Sequence, residues 1–307
     1  MTLTELKYVV AVAREKHFGR AAEACFVSQP TLSVAIKKLE EELDVKLFER
    51  GTAEVAVTPL GEQIVRQAQQ VLEQAAAIKE IAKLGKDPVA GPLRLGIIYT
   101  IGPYLLPDLV RQAIERVPQM PLMLQENFTT RLLEMLRTGE LDCAILAEPF
   151  PDAGLAVAPL YDEPFMAALP AQHALARRKS VSAEELKNET MLLLGTGHCF
   201  RDHVLEVCPE YAHFSSDAEG IRKSFEGSSL ETIKYMVASG MGVTVVPQLS
   251  VPKEPQPHVR YVKFAPPAPT RRVVLVWRRT FPRYEAIAAL RNCVYACPLA
   301  GVKRLTG

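Results

Sequence analysis

The sequence lacks a long apolar segment. No stretch approaches the roughly 18 uninterrupted apolar residues that a membrane-spanning helix needs. The first apolar run is broken early by Lys7, Arg14 and Lys16. We therefore expect a cytoplasmic protein that makes no contact with a membrane.

The sequence also has almost no net charge. Its 36 basic and 35 acidic residues leave a formal charge of +1 over 307 residues, so bulk electrostatics neither recruits nucleic acid nor excludes it. Apolar residues make up 48% of the chain and charged residues 23%, which excludes wholesale disorder and a fibrous repeat. The length predicts two or three domains.

The six cysteines show no paired spacing of the CxxC type, which is typical of zinc sites and dithiol enzymes. Because the cytosol keeps thiols reduced, we expect no structural disulfide framework, and any disulfide here would act as a switch. Free cysteines usually behave as small buried hydrophobes. This packing role is our interpretation for four of them: Cys25, Cys143, Cys293 and Cys297.

Residues 1–58 predict a small domain built around a helix-turn-helix. Ala21 and Ala22 give one helix a narrow apolar face, and the break before the next helix falls at residues 27–30. Ser28 suits the N-cap of that next helix, and Pro30 suits its first turn. A predicted buried stripe then recurs at spacings of about one helical turn: Leu32, Ile36, Leu39 and Leu43.

The second helix of this motif is a candidate recognition helix for the major groove of DNA. The candidate DNA-binding residues lie near its amino-terminal end, with one arginine beyond it: Gln29, Pro30, Thr31, Ser33, Lys37 and Arg50. A simple helical bundle with a polar surface is the alternative. Residues 1–58 carry eight basic residues against nine acidic ones, so their attraction for phosphate is modest.

A long helical pattern predicts a linker helix over residues 59–88. A seam of apolar residues runs along it at alternating spacings of four and three: Ile64, Ala68, Val71, Ala75 and Ile78. The small alanines on this seam favour dimerisation through a pair of helices from two protomers. The alternative is a helix that packs on its own chain.

From Gly91 onward, strand and helix patterns alternate with prolines at the joints, which predicts α/β units with parallel strands. We expect a regulatory domain over residues 91–307 with two lobes. Lobe I covers about 91–162 and 268–300, and lobe II covers about 163–267. A cleft between two such lobes is a common ligand site.

Three blocks carry a resemblance over nearly the whole chain: FGRAAEACFVSQPTLSVAIKKLEEELDVKLFER, TPLGE, and the run LRLG…LLP…LDCAI. The sequence resembles the LysR-type bacterial transcriptional regulators. The resemblance implies a winged helix-turn-helix, a dimerising linker helix and a two-lobed α/β domain like a periplasmic binding protein. It also implies a tetramer that binds promoter DNA, with RNA polymerase as a candidate further partner. The wing departs from the family pattern, since Ala53 and Glu54 stand where arginine or lysine is common.

Within that family, the segment GTGHCFRDHVLEVC is most similar to the peroxide-sensing OxyR type. The resemblance implies that hydrogen peroxide oxidises Cys199 to a sulfenic acid, which Cys208 attacks to form a reversible disulfide. A helix start and a neighbouring cation are expected to lower the pKa of the Cys199 thiol. The remaining site residues are implied peroxide contacts or supports of the loop: Thr100, Thr129, His198, Arg201 and Asp202.

The spacing of the two cysteines has a geometric consequence. A continuous helix from Cys199 to Cys208 would hold their Cα atoms about 13 Å apart, whereas a disulfide needs less than about 7 Å. Oxidation must therefore unravel this segment and remodel the domain. We expect altered packing of the regulatory dimer to change the spacing of the DNA-binding domains.

Three other interpretations are open at this point. The cleft could bind a small organic metabolite, or the chain could be a thiol peroxidase, although a helix-turn-helix has no purpose in such an enzyme. The cysteine segment could also bind a metal through residues that are close in sequence: His198, Cys199, His203, Cys208 and His213. We expect a regulator rather than an enzyme, with no cofactor and no metal.

Overall fold

The computed structural model of the protein describes residues 1–50, 55–83, 87–209, 225–227 and 229–305. Within these ranges, no helix is long and apolar enough to cross a membrane. The chain divides into two units, Met1–Lys86 and Asp87–Gly307.

The first unit combines a helix-turn-helix, a small antiparallel hairpin and a long helix. Its elements follow in this order: α1 (Leu3–Glu15), α2 (Phe18–Ala24), α3 (Gln29–Leu43), β1 (Phe48–Arg50), β2 (Val55–Val57) and α4 (Pro59–Lys83). In the hairpin, Phe48 lies opposite Val57. The predicted wing residues Ala53 and Glu54 lie outside the described residues.

Local sequence signals set the start of α3, as predicted. The Ser28 hydroxyl accepts a hydrogen bond from the Thr31 N–H at 3.3 Å, and Pro30 lies in the first turn. The first three residues of the predicted stripe are buried: Leu32, Ile36 and Leu39. The prediction for Leu43 is wrong, because this residue is exposed. It ends the helix before Asp44, which takes a left-handed conformation, so the stripe leaves the core there.

The first half of α4 packs on its own domain, against α1. Four of its apolar residues lie in or against the core of this unit: Ile64, Val65, Ala68 and Leu72. This corrects the expectation for Ala68 as a dimerisation residue, because its own domain already covers the side chain. Farther along the helix, Val71 is exposed, Ala75 is half-buried and Ile78 is 69% exposed. The exposed part of the predicted seam therefore begins at Val71, later than the sequence predicts.

The second unit alternates strands and helices. Its helices are α5 (Gly102–Arg116), α6 (Thr129–Arg137), α7 (Ala183–Leu186), α8 (Cys199–Val207), α9 (Leu230–Ala238) and α10 (Tyr284–Ala296). Its strands are β3 (Leu93–Ile98), β4 (Leu122–Asn127), β5 (Cys143–Ala147), β6 (Leu155–Pro170), β7 (Ser180–Val181), β8 (Leu192–Leu194), β9 (Phe225–Gly227), β10 (Thr244–Pro247), β11 (Val259–Phe264), β12 (Thr270–Arg278) and β13 (Lys303–Arg304).

The long strand β6 joins two lobes, each with its own core. Its first part, Leu155–Pro164, pairs with β12 in lobe I, and its second part, Phe165–Pro170, pairs with β10 and β11 in lobe II. The change of partner lies between Pro164 and Phe165. The fold class is therefore the two-lobed α/β architecture expected.

The strand directions differ in part from the prediction of parallel α/β units. β3 pairs in parallel with β4 and β5, and β8 pairs in parallel with β9. β6 and β12 are antiparallel to their neighbours. The sheet is mixed because the chain leaves lobe I along β6 and returns into it along β12, so that these two strands run in opposite directions.

Candidate functional site

The two cysteines of the GHC segment lie at opposite ends of α8. Cys199 begins the helix after His198, and Cys208 is its C-cap. Neither cysteine is in a disulfide, and the helix is continuous, which corresponds to about 13 Å between their Cα atoms. Phe200 and Val204 anchor α8 in the core of lobe II. The helix therefore holds the two sulfur atoms apart, and they cannot bond unless it unwinds.

Cys199 opens into a small pocket with room for little more than one water-sized molecule. The pocket brings together four residues that the resemblance implied for one site: Thr100, Thr129, His198 and Cys199. They come from the turn after β3 and from the starts of α6 and α8. Gly197 also lines this pocket. Its φ of +99° is a conformation that residues other than glycine rarely adopt. The Phe128 ring lies against it, 3.4 Å from where a Cβ would stand.

Neither threonine of the pocket acts as a helix cap. Phe128 is the N-cap of α6 and Ile101 is the N-cap of α5, and neither helix start has a side-chain cap bond. The Thr129 hydroxyl is buried beside the Cys199 thiol, and it makes no well-formed hydrogen bond to that thiol or to any other described residue. A buried hydroxyl without a partner is costly. It is thus available to a ligand that enters the pocket.

The pKa of the Cys199 thiol is raised, mainly by burial. The nearby Thr129 hydroxyl and the positive charge of Arg271 lower it, while Asp202 raises it. The expectation of a lowered pKa is therefore wrong, because desolvation outweighs the favourable neighbours. The cation that lowers the pKa of this thiol is Arg271 and not its neighbour in sequence, Arg201. The Arg201 guanidinium instead donates a hydrogen bond to the Leu194 carbonyl at 2.9 Å. That bond ties the first turn of α8 to the end of β8.

Sequence reasoning missed a buried ion pair beside the pocket. Arg271 and Glu163 pair at 2.8 Å with side chains only 1% and 0% exposed. Arg271 also donates to the Thr100 hydroxyl at 2.8 Å and lies over the Phe200 ring at 5.2 Å. The pair fixes Thr100 and touches α8. The sequence did contain an indication that Arg271 is buried. In a strand, Arg271 lies on the same face as Val273, two residues later, and that face is buried.

The metal interpretation gains no support from the described residues. No group of three or more metal-ligating side chains is found among them, and His213 lies outside the described ranges. The ring of His203 is engaged elsewhere, since its Nε2 lies 2.7 Å from the Glu148 carbonyl oxygen.

The other four cysteines lie in apolar surroundings. Cys143 on β5, Cys293 and Cys297 are buried, and Cys25 at the end of α2 is half-buried. Burial raises the pKa of all four thiols, that of Cys297 to about 12. They are packing residues rather than reactive ones.

The outer face of α3 differs in detail from the predicted DNA-binding set. Gln29, Pro30, Thr31 and Lys37 are exposed, Ser33 is half-buried, and the side chain of Arg50 lies outside the described residues. Ser33, a candidate DNA contact, is therefore only partly accessible. Two apolar residues were missed: Val34 is 68% exposed in the middle of this face, and Phe26 in the turn before it is 96% exposed.

Comparison with known families decides where the chain belongs. The bacterial regulatory helix-turn-helix model of the lysR family matches residues 3–62, and the LysR substrate binding domain model matches residues 86–296. The chain belongs to the LysR family. Like other LysR proteins, it joins a DNA-binding helix-turn-helix to a two-lobed domain.

Similar LysR proteins have names that refer to hydrogen peroxide. The "Hydrogen peroxide-inducible genes activator" of Pectobacterium carotovorum subsp. carotovorum is 41% identical over 292 residues, covering 94% of this chain and 95% of that protein. Full-length OxyR C199D from Pseudomonas aeruginosa is 48% identical with a TM-score of 0.79, covering 100% of this chain and 98% of that one. An H2O2-bound OxyR mutant of Corynebacterium glutamicum is 34% identical with a TM-score of 0.63, covering 96% and 92%.

Proposed function

We propose that this LysR protein is a hydrogen-peroxide-sensing, DNA-binding transcription regulator switched by a reversible Cys199–Cys208 disulfide. The observation that carries the proposal is the pocket at Cys199. It places a thiol beside a buried Thr129 hydroxyl that has no partner among the described residues, in a space that suits a very small polar ligand. Peroxide is such a ligand, since each of its oxygen atoms can donate and accept a hydrogen bond.

The residues of the pocket have distinct roles in this proposal. The Thr100 hydroxyl accepts a hydrogen bond from Arg271, so its own proton is free to point toward peroxide. Thr129 supplies a second hydroxyl, and the buried His198 ring closes the pocket from the other side. Arg201 holds the first turn of α8 through the Leu194 carbonyl, and Asp202 lies in the same turn. Peroxide is thereby held against the sulfur of Cys199.

The chemistry takes two steps. The Cys199 sulfur attacks one peroxide oxygen and the O–O bond breaks. The sulfur becomes a sulfenic acid, and the departing hydroxide leaves as water with the proton of the thiol. The Cys208 thiol then attacks the sulfenic sulfur, the S–O bond breaks, and a second water leaves as the disulfide forms. The second step requires α8 to unwind, which also removes Phe200 and Val204 from the core of lobe II.

The oligomeric state and the partners complete the proposal. The exposed residues Val71 and Ile78 of α4 support a dimer through the linker helix, and we expect two dimers to form a tetramer. The exposed amino-terminal end of α3 supports contact with promoter DNA, and RNA polymerase is a further partner to test. Remodelling of the regulatory domain would reach DNA by changing the packing between protomers.

The test is a peroxide titration of the full-length protein with mass mapping of all six thiols. One equivalent of peroxide is expected to link Cys199 to Cys208, to leave the other four thiols free, and to be consumed stoichiometrically. Cys208→Ser should stop at the sulfenic acid, and Cys199→Ser should not react. Linkage of another pair would contradict the proposal. Sustained turnover of peroxide would instead identify a thiol peroxidase.

A further inference from the structure

His203 connects the helix between the two cysteines to the opposite lobe. It lies on α8 one turn after Cys199, and its ring is buried. Its Nε2 is 2.7 Å from the carbonyl oxygen of Glu148, which directly follows β5 in lobe I. The N–H of Glu148 in turn donates to the Arg272 carbonyl at 3.0 Å, so the accepting carbonyl is held by the sheet.

The hydrogen bond fixes the protonation of the ring. A carbonyl oxygen only accepts, so Nε2 must carry the proton, and in the neutral ring Nδ1 is then a bare acceptor. Nδ1 is buried without a hydrogen-bond partner in the described parts of the chain. The rings of Phe165 and Phe200 lie 6.1 and 6.3 Å from the His203 ring. A second proton on this ring would therefore be buried without an acceptor.

The charges around His203 favour the neutral ring on balance. Burial lowers its pKa most strongly, and the positive charge of Arg271 on β12 lowers it further. The bond to Glu148 and the carboxylates of Glu206 and Asp202 on α8 itself raise it. The net direction is a lowered pKa in the structure without the disulfide.

We propose that His203 is a positioning residue that latches α8 to lobe I with a neutral ring, so that proton uptake by the ring after the helix is released favours the disulfide. The inference rests on the proposed function, because it concerns the same helix and the same disulfide. Unwinding of α8 breaks the bond to Glu148 and exposes the ring to water, where its pKa returns toward about 6.5. The oxidised form then binds one proton that the reduced form does not.

The sign of the pH dependence follows from linkage. Above about pH 6.5 the His203 ring is neutral in the reduced and in the oxidised form, so no proton is taken up when the disulfide forms and the equilibrium does not depend on this ring. As the pH falls through about 6.5, the released ring takes up a proton while the latched ring stays neutral. Acidification therefore shifts the equilibrium toward the disulfide, by up to about tenfold between pH 7.5 and 5.5 for one linked proton.

The experiment equilibrates the full-length protein with dithiothreitol at pH 5.5, 6.5 and 7.5. Oxidation of dithiothreitol releases two protons and two electrons, as oxidation of the two protein thiols does. The pH dependence that the two reactions share therefore cancels in the equilibrium constant. The wild-type constant is expected to shift several-fold toward the protein disulfide at pH 5.5. His203→Gln should abolish that shift, because its amide still donates to the Glu148 carbonyl but does not titrate.

Two further variants separate the latch from general damage to the fold. His203→Phe keeps a buried ring but loses the donor, and should speed disulfide formation from the sulfenic acid about fivefold at pH 7.5. His173→Gln is the matched control, since His173 pairs with Glu189 at 3.1 Å away from α8 and should leave the shift intact. Equal pH shifts in wild type and His203→Gln would overturn the inference while leaving the disulfide switch standing. Failure of wild type to form the disulfide at all would overturn the proposed function itself.

Discussion

Replacing Thr129 by valine tests the pocket because it should change reactivity and stability in opposite directions. The hydroxyl is buried and has no partner among the described residues. Valine has nearly the same shape, so the variant removes a polar group that the folded protein buries at a cost. We expect Thr129→Val to leave the free energy of unfolding unchanged or to raise it by about 1 kcal/mol.

The same replacement should slow oxidation of Cys199. A hydrogen bond to a group that gains charge in the transition state contributes about 1.5–3 kcal/mol, which corresponds to a rate about 10- to 150-fold lower. Loss of the hydroxyl also removes one of the influences that lower the pKa of the Cys199 thiol, so both effects slow the reaction.

The assay is rapid mixing with peroxide in a Cys208→Ser background, with trapping of the sulfenic acid. Thr130→Val is the matched control, because Thr130 is the next residue of α6 and is exposed. An unchanged oxidation rate in Thr129→Val would remove this hydroxyl from the mechanism. A slower rate with a large loss of stability would point to damaged packing instead.

Three further replacements address other parts of the molecule. Arg271→Met should cost about 3–5 kcal/mol in the free energy of unfolding, because it leaves the Glu163 carboxylate buried without its partner, and adding Glu163→Met should recover most of that loss in denaturant titrations. Val34→Ala should weaken binding to a specific promoter site about fivefold in a mobility-shift assay, because it removes an apolar contact such as one with a thymine methyl group. Binding to DNA of unrelated sequence should stay the same. An equal loss of affinity for the specific and the unrelated DNA would contradict this role. Ile78→Glu should reduce the expected tetramer to dimers in analytical ultracentrifugation without loss of helix content, and an unchanged tetramer would place the interface elsewhere.

The elements that depend on neighbours in sequence could be predicted from the sequence. The start of α3 follows from Ser28 and Pro30, which act within one turn. The alternation from β3 to β5 follows from apolar runs separated by helical spacing. The separation of Cys199 and Cys208 depends only on the rise of a helix.

The features that were missed depend on residues far apart in the chain. The Arg271–Glu163 contact joins positions 108 residues apart, and His203 meets Glu148 across 55 residues. The raised pKa of the Cys199 thiol has the same origin, because its burial comes from segments of both lobes. Local sequence can indicate the start of α8 and the charges near Cys199, but not how far the folded chain excludes water from the thiol.

Hydrogen exchange of residues 200–208 before and after one equivalent of peroxide tests the central claim most directly. In the reduced protein the Cys208 N–H donates to the Val204 carbonyl at 2.9 Å, so the last turn of α8 should be protected. We predict that oxidation links Cys199 to Cys208, removes this protection and changes the footprint of the same sample on promoter DNA. A disulfide that forms while the protection of α8 and the footprint both stay unchanged would contradict the account.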